Sequence, residues 1–76
     1  MQNIIGSRVR QARDNHNPRL TQEQLAARLQ ILGWEISRSG VGKIESGIRQ
    51  VTDVEVKKIS EALGVSIGWL FGEDDE

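Results

Sequence analysis

The sequence predicts an all-α fold, a single compact domain of five short helices. Three observations lead there. Apolar residues recur at three- and four-residue spacing through most of the chain, the interval that lines one face of a helix. No segment alternates apolar and polar residues as a half-buried strand does. A helix-start device also recurs, in which an apolar residue, a Ser or Thr, and a second apolar residue four positions later match a hydrophobic staple around an N-cap. Its occurrences are Leu20–Thr21–Leu25, Ile36–Ser37–Val41, Val51–Thr52–Val56 and Val65–Ser66–Leu70.

The elements follow in order. Met1 to Asn3 is a short lead, too brief and uncharged for a basic minor-groove arm. Ile5, Val9 and Ala12 form the inner stripe of a first helix ending near Asp14, with Arg8, Arg10 and Gln11 pointing elsewhere. Asn15 to Arg19 is a turn, and Pro18 stops continuation of the helix. Thr21 caps the second helix, Gln24 stands where it closes a capping box, and Leu25, Ala26, Leu29 and Leu32 make its buried stripe. Ser37 opens a short third helix with Val41 and Ile44 inward and Gly47 as its stop. Thr52 with Glu55 completes another capping box, followed by Val56, Ile59, Ala62 and Leu63 and a left-handed C-cap at Gly64. The fifth helix is brief, carrying Ile67, Trp69, Leu70 and Phe71, and residues 73–76 read as a disordered acidic tail. Residues 1–76 are expected to be one domain.

Composition narrows function. A chain of 76 residues buries about 60–65% of its unfolded surface, so economical packing or oligomerisation is expected to support it. Cysteine is absent, which removes disulfides, thiolate chemistry and cysteine-based zinc sites. The single histidine, His16, lies in the turn with Asn15, Asn17 and Pro18, where exposure without catalytic work is the expectation. Tyrosine is also absent, no phosphate-binding or dinucleotide motif occurs, and a bundle this small has little room for a ligand cavity. No enzyme activity, cofactor, metal or small-molecule substrate is therefore expected. No apolar run approaches the roughly 18 residues of a spanning helix and no secretory signal opens the chain, so the expected location is the cytoplasm.

The net charge of −1 conceals an uneven distribution: residues 1–49 carry eight Arg/Lys against four acids, and residues 50–76 carry two against seven. A basic half can meet a polyanion while the acidic half faces away, although chance partition in a small protein gives the same sums. The basic, hydrogen-bonding residues gather in the third helix, where Arg38, Ser39 and Lys43 project opposite Val41 and Ile44. Such a helix suits the major groove, and it also suits an ordinary solvated surface. In the connection before it, Trp34 is either a plug over the end of the second helix or a partner-facing side chain.

The order IGSRVRQAR, LTQEQLAARL, ISRSGVGKIESG and EALGVSIGWLFG resembles the Cro/repressor-like helix-turn-helix domains of phage and bacterial regulators across about residues 4–72. The resemblance implies a five-helix repressor-like bundle with helices two and three as the helix-turn-helix. It places Arg38, Ser39 and Lys43 at base edges, and Gln22, Ser46, Arg49 and Gln50 at the DNA backbone. In relatives the turn from Ser46 to Gln50 brings amides to phosphates, and Arg49 adds charge there. Arg13 and Glu45 match a pair that bridges helices one and three; two independent surface charges are the other possibility. The chain departs from the compact form of the family in three places. It is longer around QILGWEI, through a longer helix two or a longer turn, and the loop at Asn15 to Arg19 is also extended. Gly40 and Gly42 fall inside the reading helix, each costing about 1 kcal/mol against alanine, as a device for close approach to DNA or as the mark of a relaxed site.

The function expected from this resemblance is sequence-specific binding of double-stranded DNA, as a repressor that occupies promoter DNA. The expected partner is a palindromic operator with half-sites about 34 Å apart, bound by a homodimer. Trp69 and Phe71 are the expected dimer patch, because so short a helix cannot bury Ile67, Trp69, Leu70 and Phe71 together. The alternative is a protein-binding or antidote-like module that retains the fold. Acids such as Glu23 and Glu35 intruding among Gln22, Arg38, Lys43 and Arg49 would favour it.

Overall fold

The computed structural model describes residues 2–73. It comprises α1 (Gly6–Asn15), α2 (Gln22–Ile31), α3 (Arg38–Glu45), α4 (Asp53–Leu63) and α5 (Ile67–Leu70). All four Ser/Thr residues of the recurring device are N-caps. Thr21 Oγ1 accepts from the Gln24 amide at 3.0 Å while Gln24 Oε1 accepts from the Thr21 amide at 2.9 Å. Thr52 and Glu55 repeat that reciprocal pair at the head of α4. Ser37 and Ser66 accept from Gly40 and Trp69 amides at 3.2 and 3.0 Å. Each cap satisfies a backbone donor that the first helical turn leaves over. At the other ends, Gly47 and Gly64 have φ of +81° and +70°, a backbone that a Cβ disfavours and that ends α3 and α4 cleanly.

α1 is capped by a residue the sequence reading passed over. Ile5 occupies the N-cap position without a side-chain bond, and Asn3 Oδ1 accepts instead from the amides of Ile5 and Gly6 at 3.0 and 2.8 Å. Asn3 Nδ2 donates onward to the carbonyls of Ile44 and Arg49, at 3.2 and 2.7 Å. The lead segment therefore anchors α1 to the exit of α3.

The core takes apolar residues from every helix: Ile5, Val9, Leu25, Leu29, Val41, Ile44, Ile59 and Leu70 are all essentially inaccessible to solvent. α3 packs against both α1 and α2, α4 closes the opposite side on α1 and α2, and α5 rests on α4 and α1. α1 comes close enough to α3 that a Cβ on Gly6 would overlap the backbone carbonyl oxygen of Ile44 and stand 2.8 Å from that of Glu45. Only glycine permits this approach. α2 ends at Ile31 with half-buried Leu32 as its C-cap, and residues 33–36 connect it to the Ser37 N-cap. Of the acidic stretch 73–76, Glu73 is exposed and the rest lies outside the described residues.

Candidate nucleic-acid interface

α3 is an eight-residue helix with two glycines, too short and too rich in glycine to hold its shape alone. What fixes it lies outside it. Val41 and Ile44, each 1% exposed, bury one side in the core. On the flank, Glu45 accepts from Arg13 Nε at 2.7 Å and from Arg13 Nη2 at 3.0 Å, and both side chains are more than nine-tenths buried. Arg13 Nη1 donates to the Leu20 carbonyl at 2.9 Å, and Gln22 Nε2 donates to Glu45 Oε1 at 3.0 Å. One carboxylate thus ties α1 and the first residue of α2 to the last residue of α3. The hydrogen bond to Glu45 raises the pKa of Arg13 above its ordinary value against the opposing effect of burial, so the guanidinium stays charged. A forked, two-point geometry of this kind sets an angle as well as a distance.

On the side away from the core, Arg38, Ser39 and Lys43 are all exposed. Among the described residues neither Arg38 nor Lys43 has an acid within 4.0 Å, whereas Arg10, Arg13, Arg19 and Arg49 each do. The acids are close by nonetheless. Glu23 shares a shallow depression with Arg19, Gln22 and Arg38, and Glu35 lies with Gln30, Ile36 and Ser37 at the entry to α3.

The two glycines of α3 have different surroundings. A Cβ on Gly40 would come within 2.6 Å of Ile36 Cγ1, so Ile36, in the connection ahead of Ser37, occupies the space that the missing side chain leaves. At Gly42 the same atom would sit 3.7 Å from Gln22 Nε2, an ordinary contact. Gly40 serves packing within the domain, which is neither of the roles weighed for it from the sequence.

The turn after α3 brings Ser46, Arg49 and Gln50 to one end of the helix, with Ser46 and Gln50 exposed. Four of its five amides are already engaged. Ser46 and Gly47 donate to the carbonyls of Gly42 and Ile44 at 3.0 Å, and Ile48 and Arg49 both donate to that of Lys43 at 3.1 and 3.3 Å. These four amides do not stand open to an anion, and Ser46 Oγ donates to the Lys43 carbonyl at 3.2 Å, so among the described residues Gln50 is the one whose amide and side chain this turn leaves uncommitted. Arg49 is turned inward: its guanidinium carbon is 5.1 Å from the centre of the Trp34 ring and its Nη2 is 3.5 Å from Glu55 Oε2. Trp34 itself is half-buried against the core.

At the far end of the bundle, Trp69 is half-buried beneath the Arg8 guanidinium, 4.6 Å from the ring centre. Leu70 is fully buried, and Ile67 and Phe71 remain 42% and 40% exposed. The apolar surface at that end is therefore Ile67 with Phe71, because Arg8 covers the tryptophan face. His16 is half-buried and not simply exposed. Its Nδ1 lies 2.8 Å from the Pro18 carbonyl oxygen, and its Nε2 lies 3.4 Å from Nη1 of Arg28, which donates to the Ala62 carbonyl at 3.0 Å. It holds the α1–α2 loop against the α2–α4 seam. No group of three His, Cys, Asp or Glu among the described residues is placed to hold a metal ion, and no helix there is long and apolar enough to cross a membrane.

α2 and α3, joined by a hydrogen-bonded connection and locked by one carboxylate with a basic side outward, constitute a helix-turn-helix. A family model described as helix-turn-helix matches residues 9–70, and the chain belongs to that family. Together, family and bundle make it a Cro-type helix-turn-helix domain, DNA-binding and regulatory in kind. No curated protein and no solved structure matches the chain.

Proposed function

We propose that the chain binds double-stranded DNA at specific sequences and represses transcription by occupying promoter DNA. The observation that carries this reading is the pair of exposed cations that form no ion pair among the described residues, Arg38 and Lys43, on a helix whose other flank is fixed by Arg13, Glu45 and Gln22. Either cation can donate to guanine O6 and N7 and Ser39 serves several bases, so each half-site is expected to contain at least one G·C pair. Gln22, Ser46 and Gln50 contact the DNA backbone, and Arg49 adds positive charge to the same edge.

The domain acts as a homodimer on a palindromic operator, with Ile67 and Phe71 supplying the contact between copies, since two such apolar patches close a two-fold interface. Sedimentation decides this point: a species that stays monomeric both free and on DNA excludes the dimer. The presence of Glu23 in the depression with Arg19 and Arg38 favours a second reading, a protein-binding module. Selection from a random duplex library separates the two. Recovery of a palindrome that blurs with Arg38→Ala and with Lys43→Ala supports base reading. Uniform weakening without altered preference makes both residues backbone contacts, and recovery of no sequence favours the protein partner.

A further inference from the structure

We infer that Arg49 is a positioning residue for α3, locking the connection ahead of that helix to the turn behind it through Trp34. The inference rests on the DNA-reading role proposed above and assigns that role a residue pair outside the reading surface. Trp34 precedes the Ser37 N-cap and Arg49 follows the helix end at Glu45, so the stack spans both ends of α3. A guanidinium waiting for a phosphate keeps its N–H groups in water. That of Arg49 has withdrawn: its side chain is 34% exposed, and Nη1 is buried with no hydrogen-bond partner. Dehydration of a cationic nitrogen is costly unless something attractive replaces the water. Here the replacement is the face of the Trp34 indole at 5.1 Å, together with the Glu55 carboxylate.

Every partner in the stack is itself held. The Trp34 amide donates to the Leu29 carbonyl at 3.0 Å, and the Trp34 carbonyl accepts from the Ile36 amide at 2.8 Å. Gln30 Nε2 donates to the Ile36 carbonyl at 2.8 Å. Glu55 uses its other oxygen in the α4 capping box, and the Arg49 carbonyl accepts from Asn3 at 2.7 Å. The connection is thus a fixed strut, and Arg49 is the bolt that joins it to the exit of α3.

The test compares Trp34→Ala, Arg49→Lys and the double variant with the unmodified chain, on the duplex recovered from the random-library selection and across a salt series. Both substitutions keep the charge, and lysine does not reproduce a planar, stacked guanidinium. Each single variant is expected to weaken binding by about fivefold, the double variant no further, with the salt slope unchanged and Trp34→Phe retaining most of the affinity. Full binding by Arg49→Lys, with a slope reduced by about 0.9 in Arg49→Ala, would overturn the inference and make Arg49 a phosphate contact. A second measurement needs no DNA. In a Trp69→Phe background, Arg49→Lys is expected to increase acrylamide quenching of Trp34, and unchanged quenching removes the stack. If the unmodified chain recovers no duplex, the proposed function falls and takes the role in DNA reading with it, while quenching still decides whether the lock exists.

Discussion

Gly40 and Gly42 share one helix and are expected to answer alanine with opposite signs. Alanine gains about 1 kcal/mol over glycine in a helix interior, because it loses less backbone freedom on folding. At Gly42 nothing opposes that gain, since the new Cβ meets Gln22 Nε2 and Oε1 at 3.7 and 3.9 Å, both ordinary contacts. Gly42→Ala should stabilise the domain by about 1 kcal/mol, equivalent to roughly 4–8 °C in Tm for a domain of this size. At Gly40 the new Cβ stands 2.6 Å from Ile36 Cγ1 and 3.1 Å from Cδ1. Ile36 is 5% exposed and must leave its packed position to admit the new methyl group. Overpacking of this kind costs about 1–3 kcal/mol, which cancels or outweighs the helical gain, so Gly40→Ala should be neutral to about 2 kcal/mol destabilising. Urea unfolding at equal m-value reads both directly. A loss of stability in Gly42→Ala, or a clear gain in Gly40→Ala, would refute the claim that Ile36 fills the Gly40 side of α3 and that Gln22 leaves room on the other.

Other perturbations test the contacts that hold α3. Glu45→Ala leaves the Arg13 guanidinium buried without its partner and is expected to cost about 3–5 kcal/mol in urea unfolding; a loss below about 1 kcal/mol would mean the ion pair is not what orients the helix. Asn3→Ala removes the cap of α1 and two links to the end of α3, and should cost about 1–2 kcal/mol. Hydrogen exchange in that variant is expected to accelerate at the Ile5 and Gly6 amides and to remain slow in α4. Gly6→Ala pushes a methyl group into the carbonyls of Ile44 and Glu45 and should destabilise by about 1–3 kcal/mol, with a change in α3 chemical shifts larger than that in α4.

What could be read from the sequence was local. Thr21, Ser37, Thr52 and Ser66 announce helix starts because a cap and its staple lie within five residues of each other, and the three-to-four spacing of Ile5, Val9 and Ala12 marks an inward face by itself. Contacts between distant segments had no such signature. Asn3 is of a capping residue type but stands two positions ahead of the N-cap Ile5, and its second set of partners lies more than 40 residues away. Gly6 looks like any glycine at a helix start until the α3 carbonyls are set beside it. Where α2 gives way to the connection was open because a further helical turn and a longer connection use the same residues; Gly33, at φ +93°, marks the end of α2. Nothing adjacent in sequence signals that Arg8, on another helix, lies over the Trp69 ring in the patch expected from Trp69 and Phe71.

The energetics of α3 bear on how the domain reads a sequence. A helix of eight residues with two glycines falls below the length at which isolated helices persist in water. Its helical state is therefore supplied by the core beneath Val41 and Ile44, by the Glu45 carboxylate, and by the segments that close on its two ends. Arg38, Ser39 and Lys43 inherit their positions from those supports, since none of their own contacts fixes them. A change at Gln22, Asn3 or Arg49 should then alter the geometry of all three reading side chains together, degrading discrimination at several base pairs at once. Replacement of Arg38 or Lys43 alone should relax preference only at the base pair that the side chain meets.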